Sequence, residues 1–228
     1  MSTITKAYLA LYNVACAAGW AYVFSVSLPH LREGSEAAAF YADVEFALQV
    51  VQTAAVLEVV HSMVGLVRSP WFTTLIQVAS RITIVWAFLW PCPDSRSSVG
   101  AYLCITSWAL VEVPRYLFYA ANLFGSVPYP VFWLRYSLFA ILYPTGITGE
   151  FLTIIAGLGY YRENGAMSDE LPHFTLGDVE VTMYHFTVLC LCIWVPGAPY
   201  MYMNMVKNRR SAFKKLRGSA AVTGTKAD

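Results

Sequence analysis

The sequence is short of charge. Aspartate, glutamate, lysine and arginine together make up 13% of its 228 residues, whereas a soluble domain carries about a quarter. Hydrophobic residues make up 57%. This composition excludes an ordinary soluble enzyme and indicates an integral membrane protein, which at this length is expected to form one domain.

Residues that commonly hold cofactors are equally sparse. The chain has four histidines, none in a clustered pair, and its five cysteines follow no metal-binding or disulfide spacing. Glu58 and His61 match half of a di-iron helix motif, but the second half is missing from the sequence. Gly157-Leu158-Gly159 is too short for a nucleotide-binding fingerprint. The sequence therefore predicts neither a metal nor a cofactor site.

Long apolar runs are present instead. Windows long enough to cross a bilayer, about 20 residues each, fall at 7–28, 46–66, 71–91, 99–121, 131–158 and 179–203. The residues VRSP separate the second window from the third and predict a tight helical hairpin. We expect an all-α integral membrane bundle of six transmembrane helices over residues 1–206, followed by a basic tail at 207–228.

Charge is distributed unevenly along the chain. The tail from Lys207 to Asp228 has seven basic residues and one acidic residue, whereas the loops at 29–45 and 159–178 are mostly acidic. Under the positive-inside rule the tail is cytoplasmic, and six spans place the N-terminus there too. A basic segment after an apolar helix is more typical of a membrane anchor than of a nucleic-acid site. The expected partner is the lipid bilayer, with no nucleic acid.

Ionisable residues interrupt the predicted spans. Such groups are costly in a bilayer and are usually paired or functional. Glu112 and Arg115 lie three residues apart on one helix face, so we expect them to pair. Arg81 needs a carboxylate or carbonyl oxygens. The full set is Glu58, His61, Arg81, Glu112, Arg115, Arg135 and Glu150.

One stripe in the fifth window combines two reactive groups. Tyr143, Gly146 and Glu150 have the i, i+3, i+7 spacing of a single helix face. Gly146 leaves an opening between the phenol and the carboxyl group, about 10 Å apart along a helix. Pro144 removes a backbone hydrogen bond and can kink the helix. A phenol and a carboxylic acid across a narrow apolar slot suit proton transfer, which makes Tyr143 and Glu150 the candidate catalytic pair.

A second segment resembles a catalytic motif that it cannot fulfil. His61 to Ser69, HSMVGLVRS, resembles the phosphate-binding loop of cysteine phosphatases, with Ser62 in place of the cysteine. That chemistry needs a thiolate held by free backbone amides. Most of the segment is predicted to be transmembrane helix, whose amides are already bonded. We therefore expect no phosphatase activity.

Both segments belong to a wider resemblance. LRYSLFAILYPTGITGE, SWALVEVPRYLFYA and LQVVQTAAVLEVVHSMVGLVRSP closely resemble the very-long-chain 3-hydroxyacyl-CoA dehydratases, a protein-tyrosine-phosphatase-like family. The likeness extends over nearly the whole chain and looks greatest for plant and algal members. It implies that Tyr143 and Glu150 are the catalytic pair of a hydro-lyase. This enzyme would remove water from (3R)-3-hydroxyacyl-CoA to give trans-2-enoyl-CoA, without a cofactor.

The resemblance also implies a cellular setting. It suggests the endoplasmic reticulum membrane and the third step of fatty-acid elongation. A long-chain acyl-CoA would be the substrate, and the condensing enzyme, ketoacyl-CoA reductase and enoyl-CoA reductase would be partners. The charged nucleotide of CoA must stay at the cytoplasmic mouth, so we expect Arg68 and Arg135 to contact its phosphates. The acyl tail is expected to run past Glu150 toward the luminal end in a closed apolar tunnel.

Two alternatives from other functional classes remain open. A small transporter would use the same intramembrane charges as a pathway. A catalytically silent scaffold would bind partners through the phosphatase-like segment without turnover. The intact tyrosine–glutamate pair favours the enzyme over the scaffold.

Overall fold

The chain folds into a bundle of long helices. A computed structural model describes residues 1–164, 174–176 and 179–224. In chain order the elements are α1 (Thr3–Glu33), α2 (Ala37–Ala54), α3 (Val56–Met63), α4 (Trp71–Thr83), a π-helix (Ile84–Leu89), α5 (Pro93–Ser97), α6 (Val99–Leu123), α7 (Tyr129–Ser137), α8 (Phe139–Asn164), β1 (Phe174–Leu176), β2 (Val179–Val181) and α9 (Met183–Gly224). The two strands form an antiparallel hairpin in which Phe174 pairs with Val181.

Within the described residues, five helical segments are long and apolar enough to cross a membrane, which confirms the prediction of a helical, multi-pass membrane protein. They are Thr3–Glu33, Ala37–Met63, Trp71–Leu89, Phe139–Asn164 and Met183–Gly218. The 25-residue helix α6 is not among the five. Glu112 and Arg115 interrupt its apolar sequence.

The helices alternate in direction, so the connections lie at two ends of the bundle. The end that carries the N-terminus and the turns at 64–70 and 124–128 is called the near end. The far end carries the turn at 34–36 and α5. Gly65 (φ 73°) and Gly125 (φ 77°) adopt left-handed backbone conformations in the two near-end turns, which glycine tolerates at little cost. The predicted hairpin around VRSP is thus confirmed.

Several boundaries differ from the predicted windows, and the sixth window opens with strand β2 before α9 begins at Met183. The second span begins at Ala37, well before residue 46. The fifth window is divided at Leu138 into α7 and α8, and α8 then continues through Pro144. The basic tail beyond Lys207 extends α9 as helix to Gly224. The stripe from Tyr143 to Glu150 therefore lies entirely within one helix.

The tightly packed core occupies the far half of the bundle. Trp20, Phe40, Phe88, Ile154 and Tyr161 are fully buried there. Helix α6 packs against both α1 and α8, and its approach to α8 depends on two glycines. A Cβ added at Gly149 would lie 2.4 Å from the Cys104 backbone nitrogen, and one at Gly100 would lie 2.6 Å from the Gly149 carbonyl oxygen. This contact fixes α8 against α6 directly beside Glu150.

Candidate active site

A cavity of about 900 Å³ occupies the near half of the bundle. Helices α1, α3, α4, α6, α7, α8 and α9 all contribute to its wall. Tyr143, Gly146 and Glu150 line it together. The structure therefore brings the three residues of the predicted stripe to the wall of a single cavity.

Glu150 is buried and is held by two indole groups. Nε1 of Trp108 on α6 donates to Oε1 at 3.0 Å, and Nε1 of Trp194 on α9 donates to Oε2 at 2.9 Å. An indole N–H can only donate, so each carboxyl oxygen accepts one fixed hydrogen bond. The carboxyl group is thereby oriented from two neighbouring helices.

Tyr143 is half-buried and is held by α9. Its hydroxyl donates to the Ala198 carbonyl oxygen at 3.0 Å, and its ring lies 5.9 Å from the Tyr202 ring. Gly146, between the two candidate groups, lies against α6. A Cβ at Gly146 would come within 3.3 Å of the Ser107 Cβ atom, so glycine keeps α6 and α8 close at this level.

Two glutamates and two arginines form an ion-pair network on the cavity wall. Arg115 contacts Glu58 at 2.5 Å and Glu112 at 2.6 Å. Arg81 pairs with Glu112, and the Tyr116 hydroxyl donates to Glu58. The predicted pairing of Glu112 with Arg115, and of Arg81 with a carboxylate, is confirmed. Buried charges of this kind need such partners because isolated ones are costly to desolvate.

The network is joined to the Glu150 site through one side chain. The Arg81 guanidinium lies 5.6 Å from the centre of the Trp108 ring, within the range of a cation–π contact. Trp108 in turn donates to Glu150. Arg81, which is held by its ion pair with Glu112, therefore helps to keep Trp108 in position to donate to Glu150.

The two arginines expected to contact CoA phosphates also line this cavity. Arg68 is exposed in the near-end turn. Arg135, on α7, donates to the Tyr119 hydroxyl at 3.2 Å and lies over the Tyr119 and Tyr136 rings. Both cations therefore lie at the near end of the same cavity.

The phosphatase-like segment differs in detail from its predicted structure. Helix α3 ends at Met63, and the remaining residues form a turn. The Leu66 and Val67 amides both donate to the His61 carbonyl oxygen, at 2.8 and 3.2 Å. The Ser62 hydroxyl is buried and donates to the Val59 carbonyl oxygen. The two amides are therefore hydrogen-bonded in the turn, and the Ser62 hydroxyl is hydrogen-bonded within α3.

Sequence reasoning missed Trp108 and Trp194, the two donors to Glu150. Trp108 lies within SWALVEVPRYLFYA, one of the segments that carry the family resemblance, and Trp194 directly precedes the segment VPGAPYMYMNM. A general signal was available: a carboxyl group in an apolar helix needs hydrogen-bond donors. Nothing in the spacing indicated which of the seven tryptophans would supply them.

The fold and the site together define a class of protein. It is a helical membrane protein in which a phenol and a carboxyl group line one cavity. The family model of the protein tyrosine phosphatase-like proteins, PTPLA, matches residues 52–215. The chain belongs to this family.

Relatives similar to the chain share a dehydratase name. "Very-long-chain (3R)-3-hydroxyacyl-CoA dehydratase PASTICCINO 2" of Arabidopsis thaliana is 38% identical, covering 95% of this chain and 97% of the relative. The dehydratase hpo-8 of Caenorhabditis elegans is 37% identical over 95% of this chain and 97% of its own. Dehydratase 2 of Homo sapiens is 36% identical over 91% and 81%. The plant and nematode identities are too similar to separate the branches. No solved structure matches the chain.

Proposed function

We propose that this protein is a very-long-chain (3R)-3-hydroxyacyl-CoA dehydratase, a hydro-lyase of fatty-acid elongation. The observation that carries the proposal is the shared cavity of Tyr143 and Glu150 in a chain similar over nearly its whole length to relatives with that name. The substrate is a long-chain 3-hydroxyacyl-CoA, and the product is the trans-2-enoyl-CoA.

Dehydration breaks two bonds of the substrate and forms one. The C2–H bond breaks, and its electron pair forms the C2–C3 double bond. The C3–O bond breaks, and the hydroxyl leaves as water after gaining a proton. The reaction therefore needs one group that takes the C2 proton and one that protonates the hydroxyl. No electrons are exchanged with a cofactor.

Tyr143 and Glu150 are the proposed proton-transfer pair. They stand on one face of α8 with Gly146 between them, and all three line the cavity. A 3-hydroxyacyl group in this gap would have one of the two side chains beside C2 and the other beside the C3 hydroxyl. The fixed indole bonds to Glu150 keep its carboxyl group in one orientation, which favours reaction from a prearranged geometry.

CoA is proposed to bind at the near end. Its nucleotide carries phosphates that cannot enter the hydrocarbon region, so the pantetheine arm must carry the thioester down to Tyr143. Arg68 and Arg135 are the cations proposed to contact the phosphates. Their position on the wall of the same cavity supports this arrangement.

The membrane arrangement is proposed to have six spans, with α6 as the sixth spanning helix. Twenty-five residues extend about 37 Å at helical rise, which exceeds a hydrocarbon core about 30 Å thick. The charges of α6 are paired with one another and with Glu58 and Arg81. Six spans give both termini the same side, and the basic tail at 207–228 favours the cytoplasm.

The proposed cellular setting is the endoplasmic reticulum membrane. There the chain would work beside the enzymes that make its substrate and consume its product. These are the condensing enzyme and ketoacyl-CoA reductase before it, and the enoyl-CoA reductase after it. The support is the chemistry: a 3-hydroxyacyl-CoA is the product of ketone reduction, and an enoyl-CoA is a substrate for double-bond reduction.

The test is turnover by the isolated protein. Full-length protein purified in detergent is incubated with a long-chain (3R)-3-hydroxyacyl-CoA, and enoyl-CoA is followed by its absorbance and by mass spectrometry. Formation of trans-2-enoyl-CoA is the expected result. Transport of a solute by reconstituted protein, with no dehydration, would favour a transporter. Binding of elongation enzymes without turnover would favour a silent scaffold.

A further inference from the structure

The cavity has a floor at the level of Glu150. Along α8 its lining residues end at Glu150, along α6 they begin at Ser107, and along α9 they begin at Ile193. All three limits lie at a similar depth. The expected tunnel toward the far end is therefore not what the described cavity shows.

The described residues below this floor are closely packed. Ile84, Phe88, Ile154 and Tyr161 are fully buried in the far half. The Gly100–Gly149 contact also holds α6 and α8 together directly below Glu150. Close-packed interiors resist insertion of added methylene groups. A very long acyl tail must leave the cavity in another direction.

Most sides of the cavity are closed by named contacts between helices. The Tyr8 hydroxyl is 2.8 Å from His61 Nε2, which joins α1 to α3. The Phe118 and Phe132 rings, 6.3 Å apart, join α6 to α7. The Phe132 ring also contacts Phe213 at 5.2 Å and joins α7 to α9.

On the side of the cavity between α4 and α9, the described residues form no contact of this kind. Both helices line the cavity, yet α4 packs against α2, α3 and the π-helix, whereas α9 packs against α7, α8 and β2. Between Trp71–Thr83 and Met183–Met205, all described, no hydrogen bond or ring contact joins the two helices. Deeper on this side, the Phe88 ring of the π-helix stacks on the Phe186 ring of α9 at 6.5 Å.

Two apolar side chains mark the gap. Ile76 on α4 and Ile193 on α9 both line the cavity, and they are 41% and 54% exposed. Large apolar residues this exposed on a cavity wall are expected where the cavity opens to the surroundings. We call this opening, bounded by Ile76 and Ile193, the α4–α9 seam.

We propose that the acyl tail leaves the active-site cavity sideways through the α4–α9 seam and lies in the bilayer during the reaction. The inference rests on the proposed function. Lipid hydrocarbon is as apolar as a leucine side chain, so the tail gains in the bilayer what it would gain in a tunnel. A tail that ends in lipid meets no protein wall, and the enzyme then accepts longer chains without a larger cavity.

The first test blocks the seam with a larger side chain. Ile76→Trp and Ile193→Trp are compared with Leu75→Trp and Leu189→Trp, matched changes at exposed residues on the same helices that do not line the cavity. The readout is kcat/KM for 3-hydroxyicosanoyl-CoA divided by kcat/KM for 3-hydroxyoctanoyl-CoA, whose tail is too short to reach far beyond the cavity. The seam variants should lower this ratio about tenfold, the effect of an overpacking cost near 1.4 kcal/mol. The controls should leave it at the wild-type value.

An unchanged ratio in both seam variants overturns the proposal, and so does an equal fall in the controls. Dehydration of neither substrate by the wild-type protein would instead reject the proposed function, because the ratio then has no value.

A second test uses unmodified protein, so it does not depend on whether the variants fold. A long-chain 3-hydroxyacyl-CoA with a diazirine at the end of its tail is photolysed on the protein in nanodiscs, and the labelled sites are mapped by mass spectrometry. Label on lipid and on the outer faces of α4 and α9 is expected. Label on Phe88, Ile154 or their far-half neighbours would show that the tail penetrates the floor and would overturn the proposal.

Discussion

The carboxyl group of Glu150 is costly to bury, and hydrogen bonds hold it in a fixed orientation. A buried carboxyl group without partners is unfavourable by several kcal/mol, and here two indole groups satisfy its two oxygens. These bonds come from α6 and α9, so the orientation of Glu150 depends on the relative position of three helices. Catalysis should therefore be sensitive to the indole N–H groups themselves.

Replacing Trp108 or Trp194 by phenylalanine removes one donor while keeping an aromatic ring. Hydrogen bonds to charged groups contribute about 1.5–3 kcal/mol, so kcat should fall about tenfold to a hundredfold, with a smaller change in KM. Steady-state formation of enoyl-CoA measures both constants. Trp86→Phe is the matched control, because Trp86 donates to Thr53 and does not line the cavity. Rates equal to that control would show that the indoles do not position Glu150.

The two arginines proposed to contact CoA, Arg68 and Arg135, give a prediction with a different kinetic signature. Arg68→Gln and Arg135→Gln remove charge that attracts CoA phosphates, so KM should rise more than kcat falls. Salt should weaken the effect, because the screening length falls from about 10 Å at 0.1 M to about 3 Å at 1 M. Arg162→Gln, an exposed change at the far end, is the control. Wild-type KM in both mouth variants at low salt would mean that the phosphates bind elsewhere.

At the scale of single residues, the sequence was sufficient to predict the groups that are related by spacing along one helix. The Tyr143–Gly146–Glu150 stripe lines the cavity, and Glu112 pairs with Arg115, because helical geometry relates positions three, four and seven apart. Spacing did not predict Trp108 and Trp194, which are 42 and 44 residues from Glu150 in sequence. Their contacts arise only when three helices have packed.

At the scale of elements, the contact between α6 and α8 positions the site. Gly100 and Gly149 let the two backbones approach beside Glu150, as small residues do between membrane helices. A side chain at either position has no free space. The separation of the helices, and with it the Trp108–Glu150 bond, depends on these glycines.

Gly149→Ala should therefore destabilise the protein. The added Cβ would lie 2.4 Å from the Cys104 backbone nitrogen, and overpacking of this kind costs about 1–3 kcal/mol, more than the roughly 1 kcal/mol that alanine gains over glycine in a helix. The apparent Tm in detergent, followed by tryptophan fluorescence, should fall. Gly159→Ala on the same helix meets nothing within 4 Å and should leave Tm unchanged or raised. Equal Tm values for the two variants would contradict the close contact.

Element boundaries were harder to predict than element types. The apolar windows found the helices, but the fifth window breaks at Leu138 and not at Pro144. A proline lacks one backbone donor, and α8 continues across that loss. The break at Leu138 separates two helices that both pack against α6 and α9, and α8 adds contacts with α5 and the π-helix deeper in the bundle. Hydropathy does not report packing partners.

At the scale of the whole molecule, the bundle has two halves with different tasks. The far half is close-packed and holds the helices together, whereas the near half surrounds the cavity and carries the ion-pair network. The sequence predicted a tunnel that continues past Glu150 toward the luminal end, because the CoA nucleotide must stay at the cytoplasmic side. Packing decides which apolar side chains fill the interior, and the composition of the chain does not specify this packing.

The six-span arrangement predicts how the chain crosses its membrane. Tags at both termini should be accessible from the cytosol, because an even number of spans returns the chain to its starting side. A glycosylation acceptor engineered into the loop at 159–178, of which 165–173 and 177–178 lie outside the described residues, should be modified in the lumen. Protease protection and glycosidase sensitivity report the two sides. A luminal tag together with an unmodified acceptor would contradict six spans.

The catalytic pair is tested most directly by the rate of enoyl-CoA formation from a long-chain (3R)-3-hydroxyacyl-CoA by two variants, Tyr143→Phe and Glu150→Gln. Each removes a proton-transfer group and little volume, and such groups contribute about 10²–10⁴-fold to a rate. Tyr200→Phe and Glu163→Gln, the same changes at exposed positions, are the controls. We predict that both site variants stay folded, with control-like Tm values, and lose at least about a hundredfold in kcat, whereas the controls keep the wild-type rate. A near-normal rate in either Tyr143→Phe or Glu150→Gln would show that the chemistry does not take place on this pair.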